Sequence, residues 1–166
     1  MIKKLNTFKQ NQTIAMKISS RKLNSFLMFK LPSAWLCGVR VKEINERECI
    51  TGVKHSWINQ NPFNSLYFAV QAMAAELSTG ALVMGAIQES GKRISMLVAQ
   101  NNAKFTKKAT GRIKFVCEDG GLISSAIEKT LETGEGQTFW MKSRGLNEAG
   151  EEVSQFEFEW TIKAQK

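Results

Sequence analysis

Apolar residues along the chain follow two periods, and the places where the period changes mark the elements. The clearest alternation is near the end, where Phe156, Phe158, Trp160 and Ile162 interleave with Glu157, Glu159, Thr161 and Lys163. A strand with one apolar and one polar face belongs to an antiparallel sheet that is wet on one side. Ile113, Phe115 and Cys117 alternate with Arg112, Lys114 and Glu118 and predict a strand over 111–118. Further strands are predicted over 35–44, 48–55, 93–105 and 137–146, with Asn45-Glu46-Arg47 and Asn147-Glu148-Ala149-Gly150 as turns.

Three segments have helical spacing. Ser20 can cap a short helix carrying Leu23, Phe26, Leu27 and Leu31 on one side, and Pro32 ends it. Its basic residues would also suit a membrane surface or an acidic ligand, but packing on the domain is the favoured reading. Ile123, Ile127 and Leu131, four apart and followed by Gly134, predict a second short helix. Between them the chain runs from Asn64 to about Ile87 with apolar residues on every side, and Asn64 or Ser65 is placed to cap it. A helix apolar all round is buried in a core or spans a membrane. Gln71 and Glu76 interrupt it, and the amphipathic strands that follow need something to cover, which favours the core and no membrane span. An α+β domain results, with an antiparallel sheet of about six strands wrapped around one long central helix and a short N-terminal helix.

Charge changes this picture only at one end. The net charge is +8, yet no acid precedes Glu43 while nine basic residues do, so the remainder is close to neutral. Residues 1–18 read as a basic, loosely ordered leader and 19–166 as one domain. A near-neutral domain without a recognisable module argues against nucleic acid as partner. There is one histidine, His55, and one aspartate, Asp119, which leaves little for a Ser-His-Asp machine. Cys37, Cys49 and Cys117 lack paired metal-ligand spacing and sit in apolar stretches, so buried thiols are expected and no metal or other cofactor. An odd cysteine count without a secretory leader points to a reducing, cytoplasmic setting.

The candidate chemistry lies on the central helix. A carboxylate midway along an apolar helix costs several kcal/mol unless paired, solvated or neutralised. Glu76 is therefore either a functional acid or a structural one, bonded to Gln71 or to strand backbone or exposed at an opening in the fold, and composition does not choose. Asn61 and Asn64 flank the predicted helix start, whose unpaired N–H groups suit a carbonyl oxygen. Asn61-Pro62 is equally an ordinary turn and Asn64 an ordinary cap.

Asn61-Pro62-Phe63-Asn64-Ser65-Leu66-Tyr67-Phe68-Ala69 with Glu76 resembles the N-P-x-G-T-x-H-G-G signature of hotdog-fold thioesterases of the phenylacetate-degradation type, whose acid follows seven residues after the last glycine. Phe105-Thr106-Lys107-Lys108-Ala109-Thr110-Gly111 resembles that family's F-x-x-P-A-x-G segment, and the Asn59-Gln60-Asn61 approach is similar to an uncharacterised branch of the superfamily. The resemblance implies a single hotdog domain and acyl-CoA thioester hydrolysis, with Glu76 as base or nucleophile. It implies that Asn61 orients water or substrate, usually from the neighbouring subunit. Backbone N–H groups around Asn64 and Ser65 would hold the thioester oxygen, and Tyr67, Phe68 and Gln71 would line the pocket. It also implies a homodimer, with pairing of dimers left open.

Four departures from the signature bear on the site. Asn64 stands for its glycine, Tyr67 for its histidine, and Phe68 and Ala69 for its helix glycines. Phe68 fills space that glycine would leave, and a phenol does not exchange protons near neutral pH as an imidazole does. The phosphates of CoA would call for cations, with Lys104, Lys107, Lys108, Arg112 and Arg144 as candidates. The alternative function is a non-catalytic hotdog module that binds an acyl or other apolar ligand, or serves as a dimeric scaffold. A hotdog dehydratase is disfavoured because His55 is not on the central helix.

Overall fold

Helix α1 (Ser20–Lys30) starts one residue earlier than its pattern suggests, because Ser19 supplies the cap by accepting from the Lys22 amide at 3.4 Å. The structure, a computed structural model, describes residues 18–165, so nearly all of the expected leader lies outside the described residues. Leu23 and Leu27 are buried, whereas Phe26 and Leu31 stay exposed: a helix laid on one strand buries only a narrow i, i+4 stripe. Pro32 does more than end α1. It opens a second helix, α2 (Pro32–Leu36), at a position where its missing N–H is no loss.

The strand expected from Trp35 therefore begins only at Arg40. Strand β1 (Arg40–Ile44) is followed by β2 (Cys49–Lys54), and the Asn45 carboxamide closes their turn by accepting from the Arg47 and Glu48 amides at 2.8 and 2.9 Å. A 3-10 turn, Trp57–Asn59, leads to the long helix α3 (Phe68–Ser90), which ends at Gly91 in the left-handed conformation (φ 64°). Then come β3 (Ile94–Phe105), β4 (Arg112–Cys117), α4 (Ile123–Thr133), β5 (Gln137–Leu146) and β6 (Glu152–Ala164).

The six strands form one antiparallel sheet in the order β1-β2-β4-β5-β6-β3. Phe156, Phe158, Trp160 and Ile162 all point into the core, as their alternation requires. The sheet curls around α3, whose Val70, Ala74, Ala75, Leu77, Leu82 and Val83 are buried in it. By length and composition α3 could cross a membrane, but 67% of its most apolar window is covered by the fold itself, so it is the core element. Two buried polar contacts fix its rotation. Thr51 Oγ1 donates to the Ala74 carbonyl at 2.6 Å from β2, and the Ser78 and Ser143 hydroxyls meet at 2.8 Å on β5. This is the hotdog arrangement expected from the sequence.

Strand β3 lies at one edge, and a bulge changes its phase. Register shifts between Val98 and Gln100, so Met96 and Val98 share the inner face before it while Asn101, Ala103 and Phe105 share it afterwards, opposite Phe158, Phe156 and Ser154. Every residue from Gln100 to Phe105 is exposed.

Candidate functional site

The segment before α3 is built on asparagines. Asn59 is buried; its Nδ2 donates to the carbonyls of Cys37 and Lys54, each at 2.9 Å, and its Oδ1 accepts from the Ser56 amide at 2.8 Å. Asn61 Oδ1 accepts from the amides of Phe63 at 2.9 Å and Ser65 at 3.3 Å, and its Nδ2 donates to Ser65 Oγ at 3.0 Å. Asn64 has φ 56° and is the one non-glycine residue with positive φ among the described residues. Asparagine tolerates the left-handed region better than other residues with a Cβ, which explains how it replaces a glycine there.

These contacts correct the helix start. α3 begins at Phe68, with Tyr67 at its cap position and no side chain capping it, so neither Asn64 nor Ser65 is the cap. Their amides are also occupied, Asn64 N–H by the Asn61 carbonyl at 3.1 Å and Ser65 N–H by Asn61 Oδ1. The amides of Leu66 and Tyr67 donate to Ala109 and Asn59 carbonyls, and those of Val70 and Gln71 to the Tyr67 carbonyl. Among the described residues this leaves the N–H groups of Phe68 and Ala69 without an acceptor. The sequence reading missed them as donors because it placed the cap two or three residues early. The signal was present in the signature, where those two positions are the helix glycines.

Phe68 does not close the space in front of it. A cavity of about 570 Å³ opens between this turn and the loop after β3, lined by Asn61, Phe63, Ser65, Tyr67, Phe68 and Gln71 on one side and by Phe105 and 106–109 on the other. Phe68 is 56% exposed, with its ring edge-on to Tyr67 at 4.9 Å between centroids. Gln71 is committed to structure: its Oε1 accepts from Ser154 Oγ at 2.9 Å and its Nε2 donates to the Leu66 carbonyl at 3.2 Å.

Glu76 is thus not bonded to Gln71, and its carboxylate has no hydrogen bond or ion pair among the described residues. It is partly buried, and desolvation holds its carboxyl above the usual carboxylate range. The nearby wall is indole. A Cβ built on Gly80 would lie 3.1 Å from Glu76 Oε1 and 3.1 Å from the Trp160 ring, so glycine one turn on lets acid and ring approach. Trp160 Nε1 donates to Thr79 Oγ1 at 3.0 Å, and Thr79 Oγ1 donates to the Glu76 carbonyl at 2.9 Å. Glu76 does not line the cavity. Eight residues of helix, about 12 Å of rise, separate it from Phe68.

The candidate cations divide. Lys107 and Lys108 line the cavity, Lys107 Nζ bonded to Glu151 at 2.7 Å and Lys108 Nζ to the Phe63 carbonyl at 3.2 Å. Lys104 and Arg112 lie outside it, Arg112 facing Glu148 at 3.4 Å. Arg144 pairs with Glu118 at 2.8 Å.

Comparison with known proteins agrees with this architecture. The model of the domain-of-unknown-function family DUF4442 matches residues 19–162. The chain belongs to that family. No curated protein matches it significantly. Among solved structures, a protein of unknown function from Chlorobaculum tepidum has 18% identity and a TM-score of 0.78, over 88% of this chain and 94% of its own. A Pseudomonas aeruginosa protein described as a probable thioesterase has 19% identity and a TM-score of 0.76, over 87% and 96%. A thioesterase from Haemophilus influenzae has 11% identity and a TM-score of 0.67, over 89% and 92%. At such identities the likeness establishes the shared hotdog fold.

Proposed function

We propose that the protein is a thioesterase acting on an acyl-CoA or similar thioester, with a site assembled from two copies of the chain. The observation that carries the reading is the unpaired, desolvated Glu76 carboxylate on a hotdog central helix whose first two amides are also unpaired. Burial raises the acid's basicity toward the working range of a general base, and free helix amides stabilise the oxyanion that forms at a thioester carbonyl. About 12 Å of helix separates the two within one chain, too far for both to reach one carbonyl. A second copy offering its own helix start to Glu76 resolves this.

The open β3 edge supports the same pairing. An exposed edge strand of 12 residues favours strand addition, and a copy seated there would extend the sheet and cover the partly exposed side of α3 that carries Glu76. Asn61 in this scheme shapes the turn that aims the Phe68 and Ala69 amides, since its carboxamide is engaged within the turn. Lys107 and Lys108 are the favoured phosphate contacts; the Lys107–Glu151 pair is exposed to solvent, which screens it, so it yields readily to a phosphate. Three free cysteines suit a reducing cytoplasm.

Incubating the pure protein with acyl-CoAs of graded chain length and following free thiol tests the activity. Turnover that disappears in Glu76→Gln supports it; no turnover on any ester refutes it. One observation favours the alternative of a non-catalytic acyl-binding module: the cavity is formed without Glu76 in its wall. That reading expects CoA esters to raise the melting temperature with no thiol released.

A further inference from the structure

Sheet order puts β1 at the opposite edge from β3, and the elements packed there leave large apolar side chains in the open. Phe29 is 74% exposed, Leu36 66% and Trp57 84%. On α1 the buried stripe is Leu23 and Leu27, so the far side of the helix carries Arg21 and Phe29 outward. The hydrogen bond from Asn59 Nδ2 to the Cys37 carbonyl fastens the Trp57–Asn59 turn to the end of α2, immediately after Leu36. Trp57, Ile58 and Leu36 thereby belong to one end of the molecule together with α1.

The elements of this face carry charge of one sign: α1, α2 and the Trp57–Asn59 turn contain Arg21, Lys22 and Lys30 and no acid. A second copy docked face to face would set these cations against each other, which disfavours self-association through this surface. Exposed tryptophan, phenylalanine and leucine beside cations is the chemistry of an interfacial element on an anionic bilayer: rings settle among the headgroups and cations meet lipid phosphates.

We propose that the face formed by α1, α2 and the Trp57–Asn59 turn docks on membrane surfaces rich in anionic phospholipid, with Phe29, Leu36, Trp57 and Ile58 entering the headgroup layer and Arg21 and Lys30 facing the phosphates. This docking uses α1, α2 and the Trp57–Asn59 turn and not the β3 edge, and it does not rest on the thioesterase reading.

Sedimentation of the full chain with vesicles tests it. Binding is expected to phosphatidylcholine vesicles that contain phosphatidylglycerol, to weaken as salt rises, and to be absent for phosphatidylcholine alone. Phe29→Ser combined with Trp57→Ser should lower partitioning by about a hundredfold, since each immersed aromatic contributes roughly a factor of ten. Arg21→Gln with Lys30→Gln should lower it roughly fivefold per charge removed. Circular dichroism and thermal midpoint should not move, because the altered side chains are exposed. Three results would overturn the proposal: no binding to phosphatidylglycerol vesicles, equal binding to both vesicle types, or unchanged partitioning of the aromatic variant. A change of oligomeric state in that variant, read by light scattering, would instead assign the face to a second copy and also overturn it.

Discussion

Replacing Thr79 by valine tests the wall beside Glu76. Thr79 is fully buried, and its hydroxyl both accepts from Trp160 Nε1 at 3.0 Å and donates to the Glu76 carbonyl at 2.9 Å. Valine keeps the shape and removes the acceptor, so the indole N–H is left buried without a partner. Such an orphaned donor costs about 1–3 kcal/mol. For a chain of this size each kcal/mol moves the melting temperature by about 2–4 °C, so a fall of roughly 2–12 °C is expected. Thr79→Ser retains the hydroxyl and serves as the control. Urea unfolding of the single variants, Trp160→Phe and the double variant closes a cycle whose coupling should be on the order of 1 kcal/mol. Thr79→Val as stable as Thr79→Ser, or additive single effects, would refute the claim that this bond sets the ring beside the acid.

Because burial raises the Glu76 carboxyl, the folded chain keeps a proton that the unfolded chain releases near pH 4.3, so stability falls as pH rises from about that value through the raised folded value. Urea unfolding should therefore find Glu76→Gln more stable than the parent near neutrality, with the gap closing in acid; a gap independent of pH would contradict this. Asn64→Val should lose roughly 1–2 kcal/mol in thermal or urea unfolding because its backbone is left-handed, and Asn64→Gly should lose nothing. Burial pushes the Cys49 and Cys117 thiols up to about 12, so a disulfide reagent should titrate Cys37 alone in the folded protein and all three thiols after denaturation.

The fold was legible wherever one face of an element is buried and the other wet. β6 and β4 show this best, since Phe156 to Ile162 and Ile113 to Cys117 alternate strictly and are buried as written. The long helix was legible from its lack of any polar face. Its start was not, because capping statistics favour Asn64 and Ser65, while the actual turn spends Asn61's side chain on Phe63 and Ser65 and delays the helix to Phe68. Pro32 misled for a related reason: a proline that stops one helix is equally suited to begin the next. At the site, Glu76 stood out as a lone carboxylate. The Trp160–Thr79 bond beside it joins residues 81 apart, and no local pattern carries such a pairing. The bulge at β3 was hidden in the same way, since it shows only in the register with β6.

The central claim is a thioesterase site shared between two chains, and mixed pairs of variants test it most directly. Glu76→Gln and Asn61→Ala chains are each expected to release almost no thiol from an acyl-CoA that the parent hydrolyses. If Glu76 of one chain works with the helix start of the other, unfolding and refolding the two variants together creates pairs with one intact site. The mixture should then regain about a quarter of parental activity: half of the pairs are mixed at random, and each has one of two sites intact. A mixture no more active than its two components would contradict the account.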